Sequence, residues 1–512
     1  MQPIDVGSSK QLFVDDKFVA SSRDVDLVMN PPYPSPDPVL IPEPPWEDPP
    51  RMSFGIYNSV LQEEDGRVRI WYSIRSEDKS GEGLEKNHLA YAESTDGIHF
   101  ERPDLGLVEG GDSSATNITM PGKLGGCSIW IDPNAPPQER YKTQCKVYDP
   151  DVAMQLHMHG SPDGINWTFL RRIQLPWRGG WDTQSIIFWD PAIGRYLLYT
   201  RHWYAKRHTT AEGNENYRAV RRLESDDLDN WDNQRIVMWP DDVDRATYDV
   251  EPPLDPRGPE KPYGKVPVDY YGAPVFKYPD ERGIYIMLAG ANWDFYPRER
   301  MVTRARDDME VAREETEEVY GPSRFDVRLS VSRDGIHFHR CGGRHPFLSP
   351  GPEGSFSSRM VWATLHPARM GNELWFYFSG TSRDHNGTLD PAANGQSGIG
   401  RAAMRLDGFV SADAGYGGGE LITPIIRFEG NRLELNLDTG GGGSVRMEIQ
   451  DAYGTPISGF TEQDATFICG NSVRMPVTWG ESLDVGSLSA KPIRLRFVMR
   501  DCKLYAFQFR TA

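Results

Sequence analysis

Four segments of this chain repeat one pattern: STDGIHF (94–100), SPDGINW (161–167), SDDLDNW (225–231) and SRDGIHF (332–338), with RLDGF (405–409) as a degenerate fifth copy. The pattern encodes a turn. Ser and Asp bond the local backbone, Gly accepts positive φ, and an aromatic residue opens the next strand. Because it recurs, each copy must belong to one supersecondary unit that cannot bury both of its faces alone. Around each turn lie runs that read as strands. They are FGIYNSVLQEEDG, RVRIWYSIR, NHLAYAES and IHFER in the first unit; GGCSIWIDP, RYKTQCKVY, MQLHMHGS and INWTFLR in the second; WDTQSIIFWDP, RYLLYTRH, YRAVRRLES and NWDNQRIV in the third. The fourth unit reads DYYGAPVFKYPD, GIYIMLAG, FDVRLSVS and IHFHR, and the fifth SRMVWATLHP, NELWFYFSG and SGIGRAAMRL. The 50 Gly and 40 Pro fall between these runs, as in all-β chains. The expected fold is all-β, a five-bladed β-propeller over residues 1–420, with KQLFVDDKFVA (10–20) closing the incomplete last blade. From 424 to 512, strands that alternate apolar and polar residues around Gly-rich turns predict a C-terminal β-sandwich. Inserts at 239–267 and 296–322 interrupt the propeller, where loops shape a binding face.

The innermost strand of a blade runs beside the axis, so residues at its start line one mouth of the channel. Asp182 precedes that strand in the third unit, Asp269 in the fourth, and Glu353 lies a little further upstream of the fifth, while the first unit offers Tyr57 and Asn58. Carboxylates converging from different blades suit glycosidic bond cleavage. One acid protonates the leaving oxygen, and a second attacks or activates water from about 5 Å away for retention or about 6.5–9.5 Å for inversion. Trp181, Gln184, Arg201, His202, Tyr270, Tyr271 and Arg359, with Asn58, are the expected substrate-binding residues, and Asp16 and Glu251 are further candidate acids. Asp132 and Asp190, in IDP and WDP, read as turn formers, as do Asp96, Asp163, Asp226 and Asp334 in the repeats. His157 and His159 alternate on one strand, which suits packing rather than metal binding. No metal site is expected and no cofactor is required. A structural calcium ion in the channel is left open, although no loop such as DxDxDG is present.

A formal net charge of −18 disfavours a nucleic acid partner, whose binding rests on clustered Lys and Arg. A carbohydrate is the expected ligand. No run of about 18 apolar residues exists to span a bilayer, so no membrane partner is expected. No signal peptide is visible at the start, which predicts a cytoplasmic protein, or a secreted or periplasmic one whose leader has been removed. The 5 Cys are scattered and read as free thiols, and the sequence leaves the oligomeric state unknown.

Five units with Ser-x-Asp-Gly turns followed by a sandwich resemble the five-bladed β-propeller glycoside hydrolases of the furanosidase type, the invertase and inulinase-like and the arabinanase and xylosidase-like families. The segments LFVDD, YAESTDGIHFERPDLGLVE, DTQ with FWDP, and LRFVMRDCKLYAFQF are closer still to a bacterial group without an assigned activity. The resemblance implies a propeller glycosidase over 10–420 and an accessory domain over 424–512. Asp182 in GGWDTQ matches the Asp of the invertase-like Arg-Asp-Pro motif, whereas FGIYNSVLQEEDG lacks that family's nucleophile motif and its Glu-Cys motif has no counterpart. The leading expectation is a glycoside hydrolase using Asp182, Asp269 and Glu353. A non-catalytic carbohydrate-binding propeller is the first alternative. A polysaccharide lyase working through Tyr270, His202 and Arg201 is the second, distinguished by acids tied up in salt bridges beside a Tyr, His and Arg cluster.

Overall fold

The structure is a computed structural model that describes residues 2–43, 46–47, 54–76, 86–108, 115–122, 124–149, 153–175, 183–204, 209–210, 213–214, 217–241, 243–244, 268–280, 283–294, 323–385, 389–393 and 395–511. It is all-β in architecture. The first sheet pairs Ser59–Gln62, Val68–Ser76, Lys86–Ser94 and Ile118–Met120 in that order. The second pairs Leu124–Ile131, Tyr141–Asp149, Ala153–Ser161 and Thr168–Ile173. The third pairs Ile186–Asp190, Arg195–Tyr204, Tyr217–Ser225 and Asp232–Met238. In the fourth, a divided first strand (Val268–Tyr271, Val275–Tyr278) precedes Ile284–Asp294, Ser323–Ser332 and His339–Arg340. The fifth likewise has Met360–Ala363 and Ala368–Met370, then Glu373–Thr381 and Ser397–Arg405, and it meets the fourth through one parallel pair, Phe325 with Met360.

Two sequence expectations are corrected here. The outer strand of the first sheet is Ile118–Met120, and IHFER makes only a bridge between Glu93 and Glu101. The His99 ring bonds back to Asp96 in solvent, whereas Ile118 is buried. The outer strand of the fifth sheet is Tyr33–Pro34, paired with Ala402 and Ala403, rather than residues 10–20. Gln11–Leu12 pairs with Ile493–Arg510 instead, because Phe13 and Phe18 are fully buried against Phe497 and Phe507.

Three of the repeated turns are built as their residues predict. Ser94 Oγ accepts from the Gly97 N–H at 2.9 Å, and Asp96 Oδ1 accepts from the Ile98 and His99 N–H groups at 2.8 Å. Ser161 with Asp163 and Ser332 with Asp334 repeat this geometry. In the third copy the turn carboxylate is Asp227, not Asp226, since the motif needs the Asp two residues after Ser225. Asp226 pairs with Arg195, and Leu228 takes the glycine position at φ 67°.

These turns latch neighbouring sheets together. Trp71 Nε1 of the first sheet donates to the Gly164 carbonyl of the second at 2.6 Å, and Tyr199 OH of the third donates to Gly335 of the fourth at 2.8 Å. Leu228 packs in one cluster with Trp130 of the second sheet. Tyr278 OH of the fourth donates to Asp407 of the degenerate fifth turn at 2.6 Å, and Tyr377 OH of the fifth donates to Gly97 of the first at 2.8 Å. Buried apolar clusters follow the same cyclic order: first with second, second with third, third with fourth, fourth with fifth, and fifth with first. Asp132 and Asp190 cap their turns, at Asn134 N and Ala192 N, and also accept from Tyr196 and Tyr285 of the following sheet.

The long strands Arg432–Asp451 and Ile493–Arg510 pair along most of their length and anchor the C-terminal sheet. N-terminal strands Ile4–Gly7, Ser21–Arg23 and Val25–Met29 pair with Ile426–Phe428, Gly419–Ile422 and Val410–Ala414 within this sheet. At the bulge after Thr439, a Cβ on Gly443 would lie 2.3 Å from the Asp501 carbonyl oxygen, so only glycine fits. Of the two expected inserts, only residues 239–241 and 243–244 are described, and 296–322 lies outside the described residues. Among the described residues no helix is long and apolar enough to cross a membrane.

Candidate active site

A cavity of about 360 Å³ opens where the first, second, fourth and fifth sheets meet. Antiparallel pairing sets the start of a sheet's first strand beside the end of its second, as Met360 pairs with Thr381, so both contribute to this rim. The first sheet and its lead-in supply Ile56, Tyr57, Ser73 and Asn87; the second supplies Gly125, Gly126 and Lys146; the fourth supplies Tyr271. Met360, Trp362, Thr381, Arg383, Asp384 and His385 come from the fifth.

One wall is aromatic. Trp362 meets Tyr57 edge-on at 4.8 Å and Tyr271 at 5.9 Å, and it is backed by Phe325 stacked at 4.5 Å. Tyr57 holds φ at 61°, a left-handed conformation rare for a bulky side chain and characteristic of sites where the surroundings impose strain. Gly55 just before it has φ 74°, and a Cβ there would lie 2.8 Å from Ile399 Cγ1. The backbone therefore bends tightly enough to bring the Tyr57 ring to Trp362.

The opposite chemistry is polar. The Tyr271 hydroxyl and His385 Nε2 are hydrogen-bonded at 2.9 Å, and the Arg218 guanidinium lies 4.3 Å from the Tyr271 ring centroid. Arg218 donates to Asp269 from its backbone N at 2.9 Å and from Nη1 at 2.5 Å. Asp269 is fully buried one pleat before Tyr271 on the same strand, so both side chains leave the same face. Asp384, also buried, accepts from the Ser323 N–H at 2.9 Å and reaches the cavity wall.

The sequence candidates distribute unevenly around this site. Tyr271 lines it, whereas Asp269 does not: it pairs with Arg218, which lies over the Tyr271 ring. Asn58 and Gln184 lie buried next to it: Asn58 Nδ2 donates to Ser379 at 3.1 Å, and Gln184 Nε2 donates to the Cys127 carbonyl at 2.8 Å. Asp182, Trp181 and Glu251 fall outside the described residues. Glu353 and Arg359 pair with each other at 2.8 Å and do not line the cavity, because Glu353 is largely exposed. Tyr270 points into the core between the third and fourth sheets, where its hydroxyl meets Asp244 at 3.2 Å and burial pushes its phenol above the ordinary range. Arg201 is buried on the third sheet, and neither it nor His202 lines the cavity. Asp16 is exposed on the short turn Asp16–Phe18, while its neighbour Asp15 pairs with Arg333.

Sequence reasoning missed Lys146, Trp362, Arg383, Asp384 and His385. The available signal was SGTSRDH, three consecutive ionisable residues at the end of an apolar second strand. The His157 and His159 rings pack against Phe169, and among the described residues no group of three or more His, Cys, Asp or Glu side chains could hold a metal ion.

No protein-family model matches the sequence, and no curated protein is significantly similar to it. Similar solved structures include an N-acetylgalactosamine deacetylase from F. plautii in complex with blood group B trisaccharide, with a TM-score of 0.41 and 14% identity over 75% of this chain and 96% of that one. A β-1,2-mannobiose phosphorylase from Listeria innocua has a TM-score of 0.42 and 13% identity over 73% and 96% of the two chains. A thermostable family-43 glycoside hydrolase has a TM-score of 0.40 and 13% identity over 70% and 93%. At this level of similarity none of these likenesses bears on what the chain binds or does.

Proposed function

We propose that the five sheets are the blades of a closed β-propeller, that the C-terminal sheet is an accessory sandwich, and that the cavity is the active site of a glycoside hydrolase. Closure is supported by the cyclic order of latches and apolar clusters, above all Tyr377 to Gly97 between the fifth sheet and the first. The observation that carries the functional reading is the cavity itself. The aromatic residues Tyr57, Trp362 and Tyr271 line a space of about 360 Å³ together with ionisable groups, a combination suited to the apolar face and the hydroxyls of a sugar.

Asp384 and Asp269 are the proposed carboxylates. Asp384 is on the wall, and Asp269, paired with Arg218, stands behind the wall residue Tyr271, on whose ring Arg218 lies. Asp182 stays in the proposal because the next residue, Thr183, packs on the cavity residue Gly126. Hydrolysis divides the work between an acid that protonates the leaving oxygen and a carboxylate that attacks or activates water. The reading asks for no cofactor.

One observation favours a second reading. Asp269 is held by Arg218, and a hydrogen-bonded Tyr271–His385 pair faces the cavity, as β-elimination from a uronate would require. Turnover of oligosaccharides, with products followed both by reducing ends and by the ultraviolet absorbance of an unsaturated sugar, separates the two. For a hydrolase, Asp384→Asn lowers kcat by about 10²-fold or more and Tyr271→Phe leaves most activity, with no absorbing product. An absorbing product abolished by Tyr271→Phe establishes elimination instead. Sugar binding without turnover leaves only a binding module.

A further inference from the structure

The second sheet carries two cysteines that the chemistry of the cavity leaves unused. Gly125 pairs with Lys146 and Ser128 with Gln144, so Gly126 and Cys127 together oppose one residue, Cys145. This is a β-bulge, and Gly126 holds its first position at φ 62°, a left-handed conformation that a side chain disfavours. Both cysteines lie in the apolar cluster between the first and second sheets, Cys127 at 1% exposure and Cys145 fully buried. Contact with the Cys127 thiol, ahead of burial, pushes the Cys145 thiol well above its ordinary range. The other three cysteines lie apart: Cys502 in the C-terminal core, Cys341 against the cluster of the fourth and fifth sheets, and Cys469 in solvent.

All five are free thiols in this structure. Directly opposed residues of antiparallel strands keep their Cα atoms about 4.5–5.5 Å apart, and a disulfide spans about 4.4–6.8 Å. The bond can therefore form without parting the strands. We infer that Cys127 and Cys145 are a cross-strand disulfide site, closed by a small-molecule disulfide such as oxidised glutathione. One cysteine thiolate attacks the oxidant, forming a mixed disulfide and expelling one thiol; the second cysteine then displaces the other. Two electrons pass from the cysteines to the oxidant, and their two protons end on the two released thiols. Burial makes the step slow in the closed protein, so it runs while the strands are forming or transiently apart. The cross-link ties the bulge that carries the cavity residue Gly126 to the strand that carries Lys146, whatever that cavity binds. On its other side the bulge is already held, because Gln184 Nε2 donates to the Cys127 carbonyl at 2.8 Å. Oxidation therefore fixes this part of the cavity wall from both sides.

The test is a cysteine map of the full chain. Protein folded in a reducing compartment is incubated with excess oxidised glutathione in sub-denaturing urea, alkylated after denaturation and digested without reductant. A peptide pair joining Cys127 to Cys145 should appear, lighter than its reduced halves by two hydrogen atoms, and should vanish with dithiothreitol. Cys341, Cys469 and Cys502 should be found alkylated or glutathionylated and in no pair. The unfolding midpoint of the oxidised protein should rise by about 3 °C, since the bond closes a loop of about 20 residues. Cys127→Ala should abolish both the peptide pair and the rise, and the map of the unaltered chain decides by itself should that variant fail to fold. Cys127 and Cys145 both recovered alkylated, under conditions that glutathionylate the exposed Cys469, would overturn the inference, as would a bond from either one to a third cysteine. A bond that forms but lowers the midpoint would also overturn it, because the strands would then not stand at bonding distance.

Discussion

At the residue scale, the second sheet contains a titration that reports on folding independently of the cavity. Burial, followed by the charge of His157, lowers the His159 imidazole from 6.5 to about 4. A base whose folded pKa is depressed binds protons more readily when unfolded. Its contribution is therefore intact above pH 6.5 and is lost progressively as pH falls through 4. Partial exposure keeps the effect on the order of 1 kcal/mol. Urea denaturation at pH 7 and pH 4.5 should show the wild-type protein losing more stability than His159→Gln over that interval. Equal losses would mean that His159 is protonated in the folded protein. The same scale explains which site residues could be read from the sequence. Tyr271 was legible because it follows an acid at a strand start, whereas Asp384 and His385 enter the cavity through the pairing of Met360 with Thr381, a contact that no local pattern announces.

At the scale of elements, the turns were readable because their chemistry is local: Ser, Asp and Gly satisfy one another within a few residues. Their second role, latching onto the neighbouring sheet, was not readable, since it depends on Trp71, Tyr199 and Tyr377, which are distant in sequence. Glycine substitutions separate the two roles. Gly164 has φ 75°, and an added Cβ would lie 2.7 Å from Trp71 Cζ2; Gly194 has φ 66° with no atom within 4 Å. Alanine at either position strains the backbone by about 1 kcal/mol, but only Gly164→Ala also drives a methyl group into the latch, which adds about 1–3 kcal/mol. Comparing the two by chemical denaturation should show this difference. Equal costs would show that the contact between the turn and Trp71 contributes little. The outer strand of the fifth sheet was illegible for a related reason. Tyr33–Pro34 is two residues long and carries no periodicity, while the apolar run at Leu12–Val14 fits any sheet.

At the scale of the whole molecule, the expected boundary near residue 420 separates segments that the structure joins. Strands within residues 4–29 complete the C-terminal sheet, and Leu12, Val14, Phe409 and Ala506 are buried in the cluster that also packs the fourth sheet against the fifth. Asp407, fully buried, joins the same parts by polar contacts: Tyr278 donates to it from the fourth sheet, Lys10 from the N-terminal arm at 2.8 Å, and Asn436 from the C-terminal sheet at 2.8 Å. Two bodies that share an apolar cluster and a buried carboxylate cannot open separately without exposing both, so heat should unfold them together. Calorimetry should give one transition, and Asp407→Asn, which leaves Lys10 without its charge partner, should shift that whole transition downward by about 2 kcal/mol or more. Two resolved transitions, with Asp407→Asn moving only one of them, would establish that the C-terminal sheet folds on its own and that the N-terminal arm merely leans on it.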